Sequence, residues 1–563
     1  MKFVLAQLNL VIGDLSGNAN CIKEACLKAK HLQADLVITS ELSLLGYPPK
    51  DLLLNPEIIQ KQYHLLNELA LLIKKEAKDL SLLIGIAENA KGFHYPKLFN
   101  SVALVNSSGW EIVARKKLLP TYDVFDETRY FRAANHTGLI NLRIKNQRLK
   151  IGLTVCEDLW VEEAIQDHRI LGPDPIEELI SEKIDLLINI SASPYCISKL
   201  EVREEIAKKA VKRLQCPVIY LNQIGGNDEL IFDGMSFVLD KNSKMVLSLP
   251  FCEESITLWD SDVTTFPTSK AIHKNEQIFK ALVLGVKDYS SKCGFQSAII
   301  GLSGGIDSAL VTAIASAALG AEKVNALLMP SPWSSKGSIQ DSIEFAQRLK
   351  ITTQTLPINS LMKEFDKVLL KTFGENPKGI TAENLQSRIR GTLLMAFANE
   401  QNHLLLSTGN KSELAVGYCT LYGDMNGGLS VIGDLYKTSV FELCEWLDNQ
   451  SSKDFRKSMG LPSQGEIIGK TIRTKAPSAE LSPGQVDSDS LPEYVLLDQI
   501  LKGLIEHRKT KAELIEITKE PSIVDQIMKM LQKGEFKRRQ APPLLKVTSQ
   551  AFGTGWRIPI AAK

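Results

Sequence analysis

The chain has no apolar run long enough to span a bilayer, no excess of either charge and no paired cysteines. Each absence excludes something. A spanning helix needs about 20 consecutive apolar residues, so no membrane partner is expected. The opening run from Met1 is strand-like, and Gln7 and Asn9 interrupt it too early for a secretion signal. Lys and Arg number 66 against 65 Asp and Glu, a net charge of +1 that gives no general attraction to nucleic acid. Nine cysteines are scattered without a Cys-x-x-Cys pair, against a zinc site or a disulfide framework. Isolated thiols in odd number suit a reducing compartment, so a cytoplasmic location is expected.

At 563 residues the chain exceeds a single hydrophobic core, and two or three domains are expected. Its 44% hydrophobic and 23% charged residues are the proportions of soluble globular protein. Over 1–262 short apolar runs alternate with amphipathic stretches. Strands are expected at 3–8, 36–39, 82–87, 102–106, 112–117, 149–155, 186–191, 218–222 and 236–239. Helices are expected at 18–31, 57–78, 175–182 and 201–214. This suits an α/β or layered αββα domain. Residues 263–274 lack apolar periodicity and read as a linker. From 275 to 563 a second α/β domain is expected, its strands and helices alternating as in a doubly wound parallel sheet.

In that second domain a strand at 297–300 runs into Gly301-Leu302-Ser303-Gly304-Gly305-Ile306-Asp307-Ser308. An Ala- and Leu-rich helix follows, with Asp307 or Ser308 near its start. Glycines let backbone N–H groups approach a phosphate, and the helix dipole favours negative charge at that end. No Lys follows the second glycine, so nothing here is placed to grip a transferring γ-phosphate. Further on come a helix containing Glu383-Asn384-Leu385-Gln386-Ser387-Arg388-Ile389-Arg390 and a strand leading into Ser407-Thr408-Gly409-Asn410-Lys411-Ser412-Glu413. Lys475-Ala476-Pro477-Ser478-Ala479-Glu480-Leu481 and Lys537-Arg538-Arg539-Gln540-Ala541-Pro542-Pro543 follow. Arg388 and Arg390 are spaced to offer guanidinium to phosphate or carboxylate, and residues 451–470 and 486–491 are expected to form lids.

Three strands of the first domain end in reactive side chains: one in Glu41, one in Lys116, one in Cys156. A thiol nucleophile needs a base for its proton and a cation for the oxyanion that follows. Glu41 can be the base and Lys116 the cation, and a nearby ammonium is expected to favour thiolate. Lys117 should point away from Lys116, since successive strand residues face opposite sides. Taken alone, a cysteine after an apolar strand is most often a small buried hydrophobe.

The flanks turn these residues into a pattern. Glu41-Leu-Ser-Leu-Leu-Gly46-Tyr47-Pro48-Pro49, Lys116-Lys117-Leu118-Leu119-Pro120-Thr121-Tyr122 and Val155-Cys156-Glu157-Asp158-Leu159-Trp160 resemble the nitrilase superfamily in its glutamine-amidase branch. Ser303-Gly304-Gly305-Ile306-Asp307-Ser308 resembles the PP-loop of ATP pyrophosphatases, and with the other motifs of the second half it looks like NAD synthetase. End to end, the chain resembles the glutamine-dependent NAD synthetase family.

That resemblance implies an N-terminal αββα nitrilase-like sandwich and a C-terminal sheet like that of the adenine nucleotide alpha hydrolases. In the first it implies Glu41 as general base, Lys116 as oxyanion stabiliser and Cys156 as the nucleophile that forms a γ-glutamyl thioester. Glu127 matches a second carboxylate of that family, with a solvated loop acid as the alternative. Glutamine contacts are implied for Tyr122, Ser193 and Lys199. Ser191 competes with Ser193, and a helix cap and a surface cation are the bland readings of Ser193 and Lys199. In the second it implies ATP, the co-substrate, at Gly301, Leu302, Ser303, Gly304, Gly305, Ile306, Asp307, Ser308 and Thr408. Deamido-NAD is implied at Asn384, Glu413 and Lys537, with Mg²⁺ on Asp307 and Glu413. Homo-oligomers are implied as well. The expected partners are otherwise the small molecules glutamine, ATP and deamido-NAD.

Two other readings stay open at this point. One keeps both halves but changes the acid that is amidated. The other is a nucleotide sensor with a decayed amidase, against which the intact Glu41, Lys116 and Cys156 speak.

Overall fold

In the computed structural model the described residues are 1–563 except 145–146, 164, 166–169, 171, 264–271 and 563. The chain divides into two compact units, Met1–Ile272 and His273–Lys563. Most of the linker expected at 263–274 lies outside the described residues.

The first unit contains fourteen strands among its described residues. They are β1 (Lys2–Gln7), β2 (Leu36–Ile38), β3 (Ser81–Asn89), β4 (Leu98–Asn106), β5 (Gly109–Arg115), β6 (Gly138–Ile144), β7 (Gln147–Val155), β8 (Leu186–Ser191), β9 (Val218–Asn222), β10 (Ile224–Asn227), β11 (Leu230–Asp233), β12 (Phe237–Leu239), β13 (Met245–Ser248) and β14 (Ser255–Asp260). Two six-stranded sheets form, in the orders β14-β1-β2-β3-β4-β5 and β13-β12-β9-β8-β7-β6, and β10 pairs with β11 as a hairpin. The helices are α1 (Leu15–His31), α2 (Pro56–Glu76), α3 (Pro175–Ile180) and α4 (Lys199–Leu214).

Side-chain alternation builds the layers. Phe3 and Leu5 of β1 and Ile38 of β2 join Ile151, Leu153, Ile188 and Ile190 of the second sheet in one apolar core. Their sequence neighbours Val4, Ala6 and Val37 face the other way, against Ile22 and Cys26 of α1 and Leu66 and Leu69 of α2. On the outer face of the second sheet, Leu187, Val218 and Tyr220 pack on Ile206, Ala207 and Ala210 of α4. The order helix, sheet, sheet, helix is the expected αββα sandwich. Strands β6, β10, β11, β13 and β14 were not expected. β14 pairs with β1 across more than 250 residues, Lys2 opposite Asp260, and no local pattern announces so remote a partner.

The second unit carries β15 (Ala298–Gly301), β16 (Val324–Leu328), β17 (Thr352–Thr355), β18 (Leu404–Ser407) and β19 (Leu429–Ser430). Their order is β17-β16-β15-β18-β19, and every pairing is parallel. The helices are α5 (Lys274–Lys292), α6 (Ile306–Leu319), α7 (Lys336–Leu349), α8 (Asn359–Phe373), α9 (Ile380–Gln401), α10 (Lys411–Val416) and α11 (Lys437–Asp448). Ile299, Leu327 and Leu405 meet Ile389 and Ala398 of α9 on one face, while α6 lies against β15 and β16. The chain leaves β15 for β16 on one side and returns to β18 on the other. A crevice opens at such a switch of direction, beyond the carboxyl ends of the strands. The C-terminal part adds helices at Tyr494–Ile505, Lys511–Thr518 and Pro521–Lys533, packed through Leu497, Ile500, Leu514, Val524 and Ile527 onto Leu414 and Val416 of α10. The sequence reading assigned no elements there.

Candidate active sites

The first site lies where β7 ends. Cys156 follows Val155 with a φ of +46°, a left-handed turn that lifts its side chain out of the strand's alternation. The Asp158 carboxylate holds this turn. It accepts the N–H of Val155 (3.1 Å) and those of Lys117 (2.9 Å) and Leu118 (2.8 Å). One buried carboxylate thereby ties the residue before the thiol to the residues after Lys116.

Lys116 lies just past the end of β5 and is completely buried. Its ammonium donates to Glu41 (2.7 Å) and Glu127 (2.8 Å). Glu41 also accepts the Asn100 amide (2.7 Å) and the backbone N–H of Ala192 (3.1 Å). Glu127 also accepts the Tyr47 hydroxyl (2.7 Å), so it is no solvated loop acid. Lys117 points away, as expected, its ammonium on Glu178 and the Asn135 carbonyl.

Lys116 favours the thiolate, as expected, but it is outweighed: burial, then the charge of Glu41, pushes the Cys156 thiol well above the ordinary range. The resting sulfur therefore keeps its proton. Burial pulls the Lys116 ammonium down, but Glu127 and Glu41 outweigh it and hold the cation charged. Burial raises Glu127, and the neighbouring Glu41 adds to the rise.

Tyr122 donates its hydroxyl to Glu157 at 3.0 Å. Burial pushes Glu157 up to about 7, opposed by Lys116 and Lys199. The Lys199 ammonium lies 4.0 Å above the Trp160 ring and is pulled down by burial, so it is no free surface cation. Ser193 is not a helix cap: Ser198 holds that place on α4, and the Ser193 hydroxyl accepts the Arg203 guanidinium at 3.2 Å. Arg203 is itself buried on Asp233. The competing Ser191 donates to Asn189 at 2.6 Å, and Asn189 reaches the Cys156 carbonyl at 3.4 Å.

The second site is a cavity of about 300 Å³ at the carboxyl ends of β15 and β18. Gly301, Leu302, Ser303, Gly305, Ile306, Asp307 and Ser308 line it, with Thr408 and Glu413. Gly304, with a φ of +79°, is packed so closely that a Cβ there would lie 2.4 Å from the Ser338 carbonyl. The hydroxyls of Ser303 and Ser308 lie 3.2 Å apart and curl the loop round the start of α6. Gly305 caps that helix, so Asp307 and Ser308 fall in its first turn.

Asp307 and Glu413 both face the Lys437 ammonium, Glu413 at 3.4 Å. Asn410 links them: its amide donates to Asp307 (3.0 Å), and its side chain and that of Glu413 cap each other's backbone. Burial raises Glu413, opposed by Lys437 and reinforced by Asp307 and Asp487. Two carboxylates beside a phosphate loop fit Mg²⁺, which takes one or two protein carboxylates and fills its shell with phosphate oxygens and water. Among the described residues no cluster of three acidic, histidine or cysteine side chains offers a metal site without substrate.

Not all expected residues reach the cavity. Asn384 accepts the Thr420 hydroxyl (2.9 Å), and Lys537 donates to the carbonyls of Gly417 and Cys419, both at 2.7 Å. Both secure the 417–420 loop, of which Tyr418 and Cys419 line the cavity. Arg390 lines it too, but Arg388, two positions back and so on another face of α9, is exposed and bonds the Leu421 carbonyl. Of the expected lids, 453–458 is helical, and Asp487 lines the cavity.

Comparison with known proteins gives these two sites a setting. Residues 4–266 match the carbon-nitrogen hydrolase family and residues 278–541 the NAD synthase family. The glutamine-dependent NAD(+) synthetase of Synechocystis is 48% identical over 99% of this chain and 98% of that relative. The chain belongs to the glutamine-dependent NAD(+) synthetase family. The Thermotoga maritima member is 36% identical over 100% of this chain and 98% of its own length. The solved Acinetobacter baumannii glutamine-dependent NAD+ synthetase, in complex with ADP, is 35% identical with a TM-score of 0.75, covering 99% of this chain and 98% of that one. The Cytophaga hutchinsonii synthetase structure, 19% identical with a TM-score of 0.80 over 100% and 98%, shares the fold.

Within that family setting, sequence reasoning missed several residues. Asn100 and the Ala192 N–H support Glu41, and nothing local marks them, while Tyr47, which supports Glu127, sat inside the Glu41–Pro49 motif without an assigned role. Asp158, Lys475 and Glu480 sat inside recognised motifs without an assigned role, and their position in those motifs was the available signal.

Proposed function

We propose that this protein makes NAD by amidating deamido-NAD, with glutamine as nitrogen donor and ATP as activating co-substrate. The observation that supports the reading is that one chain carries two candidate sites, a buried Glu41–Lys116 pair whose charges act on Cys156 and a glycine-loop cavity, within full-length similarity to that family.

In the first site Glu41 takes the Cys156 proton as the sulfur attacks the carboxamide carbon of glutamine. Lys116, held charged by Glu41 and Glu127, stabilises the oxyanion. Ammonia leaves with the proton that Glu41 returns, and water hydrolyses the thioester to glutamate. A thiol that is protonated at rest suits this order: the nucleophile forms only as the base takes its proton. Lys199 offers a cation for the substrate α-carboxylate, Glu157 an anion for its α-ammonium, with Tyr122 and Ser193 alongside.

In the second site the deamido-NAD carboxylate attacks the α-phosphorus of ATP. The bond from that phosphorus to the bridging oxygen breaks, and pyrophosphate departs with the electron pair. Loop residues Gly301 to Ser308 and Thr408 hold the phosphates. Asp307 and Glu413 would hold Mg²⁺, which supplies charge neutralisation to the phosphate oxygens. Asn384, Glu413 and Lys537 hold deamido-NAD, two of them by shaping the 417–420 wall. Ammonia then attacks the acyl adenylate, losing a proton as AMP leaves.

The test is a balance sheet of products. With deamido-NAD, ATP, Mg²⁺ and glutamine, NAD, AMP and pyrophosphate should appear in equal amounts, and glutamate in at least that amount. AMP without NAD, or equally rapid amidation of an acid other than deamido-NAD, would contradict the reading.

A further inference from the structure

The glycine loop lacks the lysine that other phosphate loops place after their glycines, yet the leaving group of adenylation is a polyanion. Some cation outside the loop has to meet it. The basic residues lining the cavity are Arg390, Lys437 and Lys475. Lys437 is held between Asp307 and Glu413 and is only 3% exposed. Arg390 directs its Nε to the Met329 carbonyl at 3.0 Å. Lys475 differs from both. Its side chain is 30% exposed, its carboxylate partner Glu480 stands 3.4 Å away, and its ammonium donates to the Ser338 hydroxyl.

Ser338 locates that ammonium. Its carbonyl is the atom that forbids a side chain at Gly304, the left-handed residue at the centre of the loop. A group bonded to the Ser338 hydroxyl is therefore next to the loop that cradles phosphate. Glu480 receives the same hydroxyl, so Ser338, Lys475 and Glu480 form one small network over the loop.

We propose that Lys475 is a catalytic residue of the second site, its ammonium taking the charge that builds on pyrophosphate as the α-phosphorus–oxygen bond breaks. It exchanges the Ser338 hydroxyl for a phosphate oxygen, while the adenylate stays on the other loop contacts. No proton moves: the electron pair of the broken bond remains on the pyrophosphate oxygen, and Lys475 stays an ammonium throughout. This rests on the reading of the cavity as the adenylation site.

The probes are inorganic pyrophosphate and AMP, used separately as product inhibitors of ammonia-driven NAD synthesis by the full chain. In Lys475→Gln, inhibition by pyrophosphate should weaken about 10-fold or more, the usual worth of a charge-assisted hydrogen bond, while inhibition by AMP stays within about 2-fold. The turnover number should fall with little change in the KM for deamido-NAD, and Lys475→Arg should restore most of both. The same constants are read on Lys475→Met, so the comparison does not hang on one variant folding. Unchanged inhibition by pyrophosphate, or equal weakening of both products, would overturn the assignment. A wild-type enzyme that released no AMP at all would instead sink the parent reading of the cavity.

Discussion

Around Cys156 the Lys116 ammonium and the Glu41 and Glu127 carboxylates are buried and bonded to one another, whereas around Gly301–Ser308 the proposed polyanion would be met by a loop and by side chains that share partners. Glu41, Lys116 and Glu127 are interlocked at 2.7–2.8 Å with almost no exposure. The second site is an open cavity in which Lys437 spans two carboxylates and Lys475 holds a hydroxyl. The proposed chemistry accounts for the contrast. Proton transfer and attack at one sulfur need atoms held in place within a dry pocket. Binding a nucleotide triphosphate needs room, and donors that can be given up and taken back.

The contrast can be broken at its strongest point first. Gly304→Ala forces a Cβ against the Ser338 carbonyl at a φ of +79°. ATP-dependent AMP formation should fall by at least about 100-fold, as for other losses of a preorganised site, while glutamine hydrolysis remains. A variant that keeps AMP formation would show that the loop is not a rigid cradle.

Lys116→Met attacks the other site where it has least slack. It leaves Glu41 and Glu127 facing each other unneutralised. Glutaminase activity should be lost, and the first unit should be destabilised by about 3–5 kcal/mol, the cost of a buried charge left without its partner. A glutaminase assay and the first transition in denaturant unfolding check this. Unchanged stability would mean the carboxylates are not ionised beside the lysine.

A smaller effect follows from Asp158→Asn. The amide can accept at one oxygen only, so at least one of the three N–H groups from Val155, Lys117 and Leu118 loses its partner. Glutaminase turnover should drop about 10- to 100-fold with ammonia-driven synthesis intact. Measuring both donors on one preparation separates this from general unfolding.

The smallest concerns pH. Burial raises Glu157 to about 7, so the folded state holds a proton there that the unfolded chain releases near the ordinary value of 4.5. Its contribution to stability is present below about 4.5 and is lost as pH rises through about 7. In Glu157→Gln the decline in melting temperature of the first unit between pH 5 and pH 7.5 should be shallower than in wild type. An identical decline would place the titration elsewhere.

How far each region was legible follows the same contrast. The loop site is contiguous, and its glycines and its strand–helix setting carry physical meaning by themselves. Of its cations Arg390 was anticipated, but Lys437 and Lys475 were obscure, because they come from more than 100 residues away and no spacing rule connects them to Asp307 or Gly304. The buried cluster is dispersed over residues 41, 116, 127 and 156, each ordinary alone, and only the flanking motifs joined them. What could not be read was its support: Asn100, Ala192 and Tyr47 reach the carboxylates through pairings between separate sheets and loops. The same holds for the fold. The runs of β1 and β15 declared themselves by apolar pattern, but β14 is only half-buried, and its place beside β1 is a tertiary fact. Helix Lys511–Thr518, with Thr510 and Glu513 capping each other, carried a local signal that the reading passed over.

The central claim is a division of labour between two centres in one chain. It is tested most directly by Cys156→Ala supplied in turn with glutamine and with ammonium at mildly alkaline pH, with NAD and AMP measured together. Synthesis should vanish with glutamine and persist within about 3-fold of wild type with ammonium, since the adenylating site is untouched. Equal loss with both donors, or continued synthesis from glutamine, would contradict it.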